Sequence, residues 1–267
     1  MRRPLFSCFV FGTILIAMAT TARSDTRPLA TDRPDRTESP YSIPARWFQF
    51  EADLASHGRI EDDGAALTTT SALAFNAKYG LTQHMDVQVV FNPWLRSHLE
   101  RPGLANEEDS GTGQAGLRVK YNLGGNDSED SALALLPFAL VPTRGDNPFD
   151  LITWGAMVPI GFRFDGGRTL SLMTGFTRVD NDETWVVGSM SLGTTIAGGL
   201  SGFLEVYVAR GGFEENALDD VTFDTGLTYA AGPNWQFDAG VYLGATSNAE
   251  DWRVFAGAST RFSLSSR

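Results

Sequence analysis

The chain has 267 residues, a single cysteine (Cys8), and 32 Asp and Glu against 21 Lys and Arg, for a formal charge of −11. One cysteine excludes an internal disulfide and thiolate-clustered metal, and the acidity argues against nucleic acid as a partner. No linker-like composition divides the chain, which reads as one domain behind two short N-terminal segments.

The first segment, residues 1–24, has Arg2 and Arg3, an apolar run from Leu5 to Ala19, and the small and polar Ala22-Arg23-Ser24 before Asp25. The run is about fifteen residues, short of the ~20 that a spanning helix needs, and the pattern predicts a cleaved secretory signal that takes Cys8 with it. Loss of Arg2, Arg3 and Arg23 leaves 18 cationic residues against 32 acids and a charge of −14.

Residues 25–45 form the second segment, an irregular leader with four prolines and the stretch Thr31–Pro40, TDRPDRTESP. Neither a helical nor a strand period runs through it. It is either a solvated leader or a plug folded into the mouth of the following domain, with Asp32, Arg33, Asp35, Arg36 and Glu38 as the plug candidates.

Residues 46–267 alternate apolar and polar in about twelve segments. They run from Trp47 to Leu54, Thr69 to Tyr79, Met85 to Asn92, Gln114 to Asn122, Ala132 to Val141, Ile152 to Arg163, Thr169 to Thr177, Trp185 to Ile196, Gly202 to Ala209, Val221 to Ala230, Trp235 to Leu243 and Trp252 to Phe262. In the first, Phe48, Phe50, Ala52 and Leu54 oppose Gln49, Glu51 and Asp53. Segments of about nine to eleven residues with a period of two suit a tilted strand crossing a bilayer.

All six tryptophans, Trp47, Trp94, Trp154, Trp185, Trp235 and Trp252, stand at segment ends, where indoles settle at a membrane interface. Links near 80–84, 164–168, 197–201 and 231–234 are short, and those near 55–68, 93–113, 210–220 and 244–251 are longer and acidic. The expectation is an all-β, antiparallel, up-and-down transmembrane barrel, with short periplasmic turns, long outer loops, and ten or fourteen strands as alternatives to twelve. Pro137 and Pro159 fall within segments and predict bulges or an irregular stretch of wall.

Charges on the non-lipid face nominate Lys78, Asp86, Gln88, Arg118, Lys120, Arg163, Glu205, Asp224 and Asp238 as lumen-lining residues. Acid clusters at Glu61-Asp62-Asp63, Glu107-Glu108-Asp109, Glu214-Glu215 with Asp219-Asp220, and Glu250-Asp251 form a solvated rim, or hold cations that bridge to lipopolysaccharide. Gly111-Thr112-Gly113-Gln114-Ala115-Gly116 spells a dinucleotide fingerprint, but it lies between an acidic loop and a strand, without the required helix. His57, His84 and His98 stand apart with no metal-ligand spacing, and no nucleophile elbow occurs, so neither metal, cofactor nor catalytic residue is assigned.

TDRPDRTESP, Pro44–Glu51, Ala77–Thr82, Leu135-Leu136-Pro137-Phe138 and the run from Asp224 to Gly244 together resemble outer-membrane proteins labelled "putative MetA-pathway of phenol degradation", often called transporters. The resemblance spans nearly the whole expected mature chain, and TDRPDRTESP is its most specific piece. It implies a Gram-negative outer-membrane barrel that passes small solutes, aromatic or hydrophobic ones included, and carries over no catalytic residue. The expected partners are outer-membrane lipid and lipopolysaccharide, an unidentified solute, and the barrel-assembly machinery. A barrel enzyme acting on membrane lipid and a plugged structural or adhesive barrel are the rival readings.

Overall fold

The computed structural model describes residues 27–127, 130–144, 151–179, 183–211 and 218–263. The expected signal, together with Glu214 and Glu215, lies outside the described residues. Every regular element among them is a strand: β1 (Trp47–Asp62), β2 (Ala65–Gly80), β3 (Met85–Phe91), β4 (Trp94–Glu100), β5 (Glu107–Gly111), β6 (Gln114–Gly124), β7 (Ser131–Pro142), β8 (Thr153–Phe164), β9 (Arg168–Val179), β10 (Glu183–Ala197), β11 (Leu200–Gly211), β12 (Leu218–Ala230), β13 (Trp235–Gly244) and β14 (Trp252–Ser263).

All neighbours are antiparallel, and β1 pairs with both β2 and β14, which closes the sheet. β3 and β4 pair with β2 in one unbroken register, as do β5 and β6 with the β3–β4 pair, so each couple is one strand interrupted by a short break. Fourteen segments thus make a 12-strand barrel.

The distribution of polarity is inside out. Among the largest fully buried side chains are Lys78, Lys120, Gln49, Gln88, Glu51, Asn122, Asp86 and Asp224. Phe50, Leu117, Leu135, Leu192, Leu204, Phe223, Leu227, Phe237 and Val254 are exposed on the outer wall, Leu204 at 65%. So broad an uncovered apolar surface is untenable in water and is what lipid tails cover.

One sequence expectation is corrected. The stretches expected as long outer loops at 55–68 and 93–113 are mostly strand: β1 and β2 run on as a hairpin, and β4 and β5 continue beside it. Asp63 and Gly64 close that hairpin with φ of 47° and 79°, the left-handed pair that a two-residue turn between twisted strands requires. The alternation fades there because both faces of an emergent strand meet water.

At Pro137 and Pro159 the structure shows the irregular stretch of wall and no bulge at either proline. Pairing lapses between Arg118–Phe138 and Tyr121–Leu135 on one side of β7, and between Leu133–Ile160 and Leu136–Met157 on the other, with the registers unchanged. A proline removes a ladder donor without adding a residue. Register shifts occur elsewhere, between Asn122 and Gly124 on β6, between Thr195 and Ala197 on β10, and at Leu54, where β1 slips against β14, opposite Leu73 with its φ of 60°. The shift at Leu54 passes the inner face from Asp53 to Ser56.

Candidate functional site

The leader occupies the lumen. It enters at the short-turn end, where Arg27 donates to the carbonyls of Ser42 (2.9 Å) and Gln83 (2.8 Å) and pairs with Asp127 at 2.8 Å. It reaches as far as Tyr242 and Asp220 and returns to the same end, where the Arg46 amide bonds the Gly80 carbonyl. Gly80 is required there because a Cβ would collide with the Pro44 backbone. Gly257 likewise leaves space for the Arg33 guanidinium.

A proline-rich segment cannot satisfy its own backbone, so a buried course demands partners from elsewhere. The wall supplies them. Glu51 accepts from the Asp32 amide (3.0 Å), Glu205 from the amides of Arg36 (2.7 Å) and Thr37 (2.8 Å), Asp86 from Ile43 (3.0 Å), and Asn126 from Ser42 (3.1 Å). Asn122 donates to the Pro40 carbonyl at 2.9 Å, and the Tyr242 hydroxyl to that of Pro34 at 2.7 Å.

Side chains add a charge network. Asp32 lies 2.5 Å from both Lys78 and Lys120 and 3.9 Å from Arg118, and Lys78 also pairs with Glu51. Burial opposes ionisation of Asp32, but Lys120, Lys78 and Arg118 outweigh it and hold the carboxyl well below the usual range. Glu38 pairs with Arg118 at 2.5 Å, although burial still raises its pKa. Arg33 reaches Asp238 at 2.8 Å, and Arg36 stacks 3.4 Å above the Tyr207 ring centroid and pairs with Asp220 at 3.4 Å. Asp35 keeps some exposure to the lumen, yet desolvation inside the barrel, with Glu205 close by, pushes its carboxyl up to about 8.

The structure therefore places Asp32, Arg33, Asp35, Arg36 and Glu38 inside the barrel, against the wall. Lys78, Asp86, Arg118, Lys120, Glu205 and Asp238 bond or pair with the leader, and Arg163 stacks on Tyr41 at 4.0 Å. Gln88 bonds Asn76 and Asp86, and Asp224 accepts from Thr222, whose hydroxyl also accepts from Arg36. Sequence reasoning left out Glu51, Asn122, Tyr207, Asp220, Tyr242 and Arg261. Glu51 and Asn122 share the parity of chosen neighbours, and that parity was the available signal.

The interface-aromatic expectation needs correction for two residues. Trp94, Trp154, Trp235 and Trp252 stand on the outer face, Trp94 and Trp154 being 41% and 48% exposed. Trp47 shares the inner parity of Gln49 and Glu51 and lies beneath Arg261, 5.3 Å from its ring centroid. Trp185 packs inside on Met173, Val187 and Ala209 beside Met157 and Tyr207. Position at a strand end is common to both faces; only parity separates them. These residues form an apolar patch on the inner face of β8–β11, strands that also carry Arg163 and Glu205, whereas β1, β2, β3 and β6 line the lumen with charge.

The acid clusters are not simple loop features. Glu108 pairs with Arg96 and His98, Asp109 with Arg144, Glu250 with Arg253, and Asp220 turns inward to Arg36. His57 bonds Thr70 at 2.8 Å and packs on Trp252, whereas His98 meets Glu100 and Glu108. Neither of these contact sets joins a histidine to both a hydroxyl and a carboxylate. Of the glycines in the fingerprint-like run, Gly111 ends β5, Gly113 lies in the break and donates to the Asn92 carbonyl, and Gly116 lies within β6.

Comparison with solved structures places the fold among outer-membrane barrels. The COG4313 outer membrane channel from Pseudomonas putida F1 matches over 83% of this chain and 97% of its own, with a TM-score of 0.65 and 12% identity. The translocator domain of the autotransporter NalP from Neisseria meningitidis matches over 80% and 88%, with a TM-score of 0.50 and 11% identity. No curated protein matches in sequence. The family model described as "Putative MetA-pathway of phenol degradation" matches residues 31–262, from the first residue of the TDRPDRTESP leader to the end of the last strand. The chain belongs to that family of outer-membrane-type β-barrels.

Proposed function

We propose that the protein is a passive, non-enzymatic channel of the bacterial outer membrane, admitting small solutes through a lumen that its own leader narrows. One observation carries the reading: the leader is held on the inner wall chiefly by ion pairs and hydrogen bonds. Buried ion pairs roughly balance their desolvation cost, so such a segment is seated in a defined register yet can be displaced. An apolar plug of equal length would be bound far more firmly.

The lumen supports passage of amphipathic compounds. Charged groups of β1, β2, β3 and β6 stand on one side, and Met157, Met173, Trp185 and Tyr207 on the other. Aromatic and hydrophobic solutes with one polar group suit such a pair of walls. The acidic hairpin end would face outward, toward lipopolysaccharide and its counter-ions, and the short-turn end toward the periplasm.

Flux into liposomes tests the reading. Purified protein reconstituted in phospholipid vesicles is expected to admit small neutral sugars and amino acids faster than protein-free vesicles do. Equal rates for every solute would refute conduction.

A further inference from the structure

Four adjacent strands exchange their faces at one level of the wall. Below it Phe50, Phe75, Phe91 and Leu117 look outward, with Phe75 packed against both other rings. Above it residues of the same parity look inward. Ser56 bonds Ser71 and accepts from Arg253, two residues from the inward Phe255, while Leu95 and Gly111 stand in register beside Ser71. The exchange falls on Leu54, on Leu73 with its left-handed backbone, on Pro93 between β3 and β4, and on Gly113 between β5 and β6. The pairing sets these four in one row, a crease that runs from the register slip against β14 to β5, the last strand of the sheet. Pro93 offers no ladder donor, and Leu73 holds a sparsely populated conformation, so the row resists bending less than regular sheet does.

Beyond the crease the ends of β1 and β2, with β4 and β5, form a four-stranded flap. Ile60, Leu67 and Leu99 lie in register on its inner face, with Leu95 nearer the crease, and all four are half-exposed toward the mouth. One side of the flap is paired to β14 as far as Arg59–Trp252. The other side, β5, ends the sheet without a ladder, and Arg144, just past β7, holds it instead. The Arg144 side chain crosses Gly111, where a Cβ would strike the guanidinium, pairs with Asp109 at 3.1 Å and donates to the Ser110 carbonyl at 2.9 Å. Thr143 adds a bond to Thr112 at 2.7 Å.

We propose that this sheet is a hinged flap over the outer mouth, bending at the crease, with Arg144 as the latch that keeps it upright. Water-facing aliphatic side chains favour a lowered position that buries them, and the charge-assisted bonds of Arg144 oppose it. Once released, the β5 edge swings inward while the β1 edge stays paired to β14. The flap adds control at the outer end to the channel reading, on which it rests only for which end faces outward.

Distances between nitroxide labels test the flap in the full protein in phospholipid vesicles. With Cys8→Ser as background, Leu104→Cys labels the exposed β4–β5 turn and Glu183→Cys the outer end of β10 across the ring. β4 has seven residues, ~23 Å at the usual strand rise, so a tilt of ~30° moves its tip ~12 Å. The latched protein is expected to give one long distance, and Arg144→Gln a second population ~12 Å shorter. Adding Leu67→Ser and Leu99→Ser should return that population to the long distance, because the apolar drive is gone. Heat-dependent electrophoretic mobility verifies that the barrel of each variant is folded. One unchanged distance in Arg144→Gln, or a short population that survives both serine substitutions, would overturn the proposal. So would rapid amide exchange along β4 and β5 in Arg144→Gln, which marks unfolding of the flap and not a swing. Because no transport is measured, failure here leaves conduction standing, whereas failure of vesicle flux leaves the flap standing.

Discussion

Asp32 gathers more cationic charge around it than any other acid of the leader. Lys78 and Lys120 both lie 2.5 Å away, with side-chain exposures of 2% and 1%, so removing the carboxylate takes the ion-pair partner from the buried Lys120 and leaves Lys78 with Glu51 alone. Loss of one partner from a buried pair costs about 3–5 kcal/mol. Asp32→Ala is therefore expected to release the leader while the barrel stays folded, seen as rapid proteolysis of residues 27–45 and faster amide exchange there. Undiminished protection would show that the network does not hold the leader.

Asp35 gives the docking its pH dependence. Its carboxyl titrates at about 8 in the seated leader, because of desolvation and the nearby Glu205, against about 3.9 in a free chain. A raised pKa means that the seated form binds the proton more tightly. The contribution of Asp35 is complete below pH ~4 and is lost as pH rises through about 8. Leader protection should fall between pH 6 and 9, and Asp35→Asn should flatten the profile. A profile unchanged by Asp35→Asn would assign the pH response elsewhere.

At the level of elements, parity governs what each strand residue touches. On β11 the adjacent Leu204 and Glu205 stand on opposite faces, one 65% exposed on the wall and the other 3% exposed beneath Thr37. Leu204→Arg should lower folding stability in bilayers by ~2–4 kcal/mol, measured by urea titration in vesicles, because the charge enters hydrocarbon. A cost near zero would mean that lipid does not cover this face. The same rule explains what could be read from the sequence. Lys78, Arg118, Lys120 and Asp238 were legible because strong charges alternated with apolar neighbours, and of the strands that carry them β6 and β13 were found with nearly their true limits. Trp47 was misplaced because strand-end position outweighed its phase with Gln49. The extensions of β1, β2, β4 and β5 were read as loops because outside the hydrocarbon no solvent contrast imposes a period of two. The leader has no periodicity, so its course was invisible; its contacts join residues as far apart as Arg33 and Asp238.

For the whole molecule, closure and polarity belong together. The 12-strand wall leaves no unpaired edge in the membrane, and its interior is wide enough to admit a doubled-back segment that meets β1, β2, β3, β6 and β11–β14. Were the leader a permanent core, its removal should collapse the barrel; were it a seated constriction, removal should widen the path through an intact wall. Single-channel conductance in planar bilayers decides between them, comparing the protein as it stands with a form lacking residues 27–45. The account predicts a small conductance for the first and a several-fold larger one for the second. Equal conductances, or none in either, would contradict it.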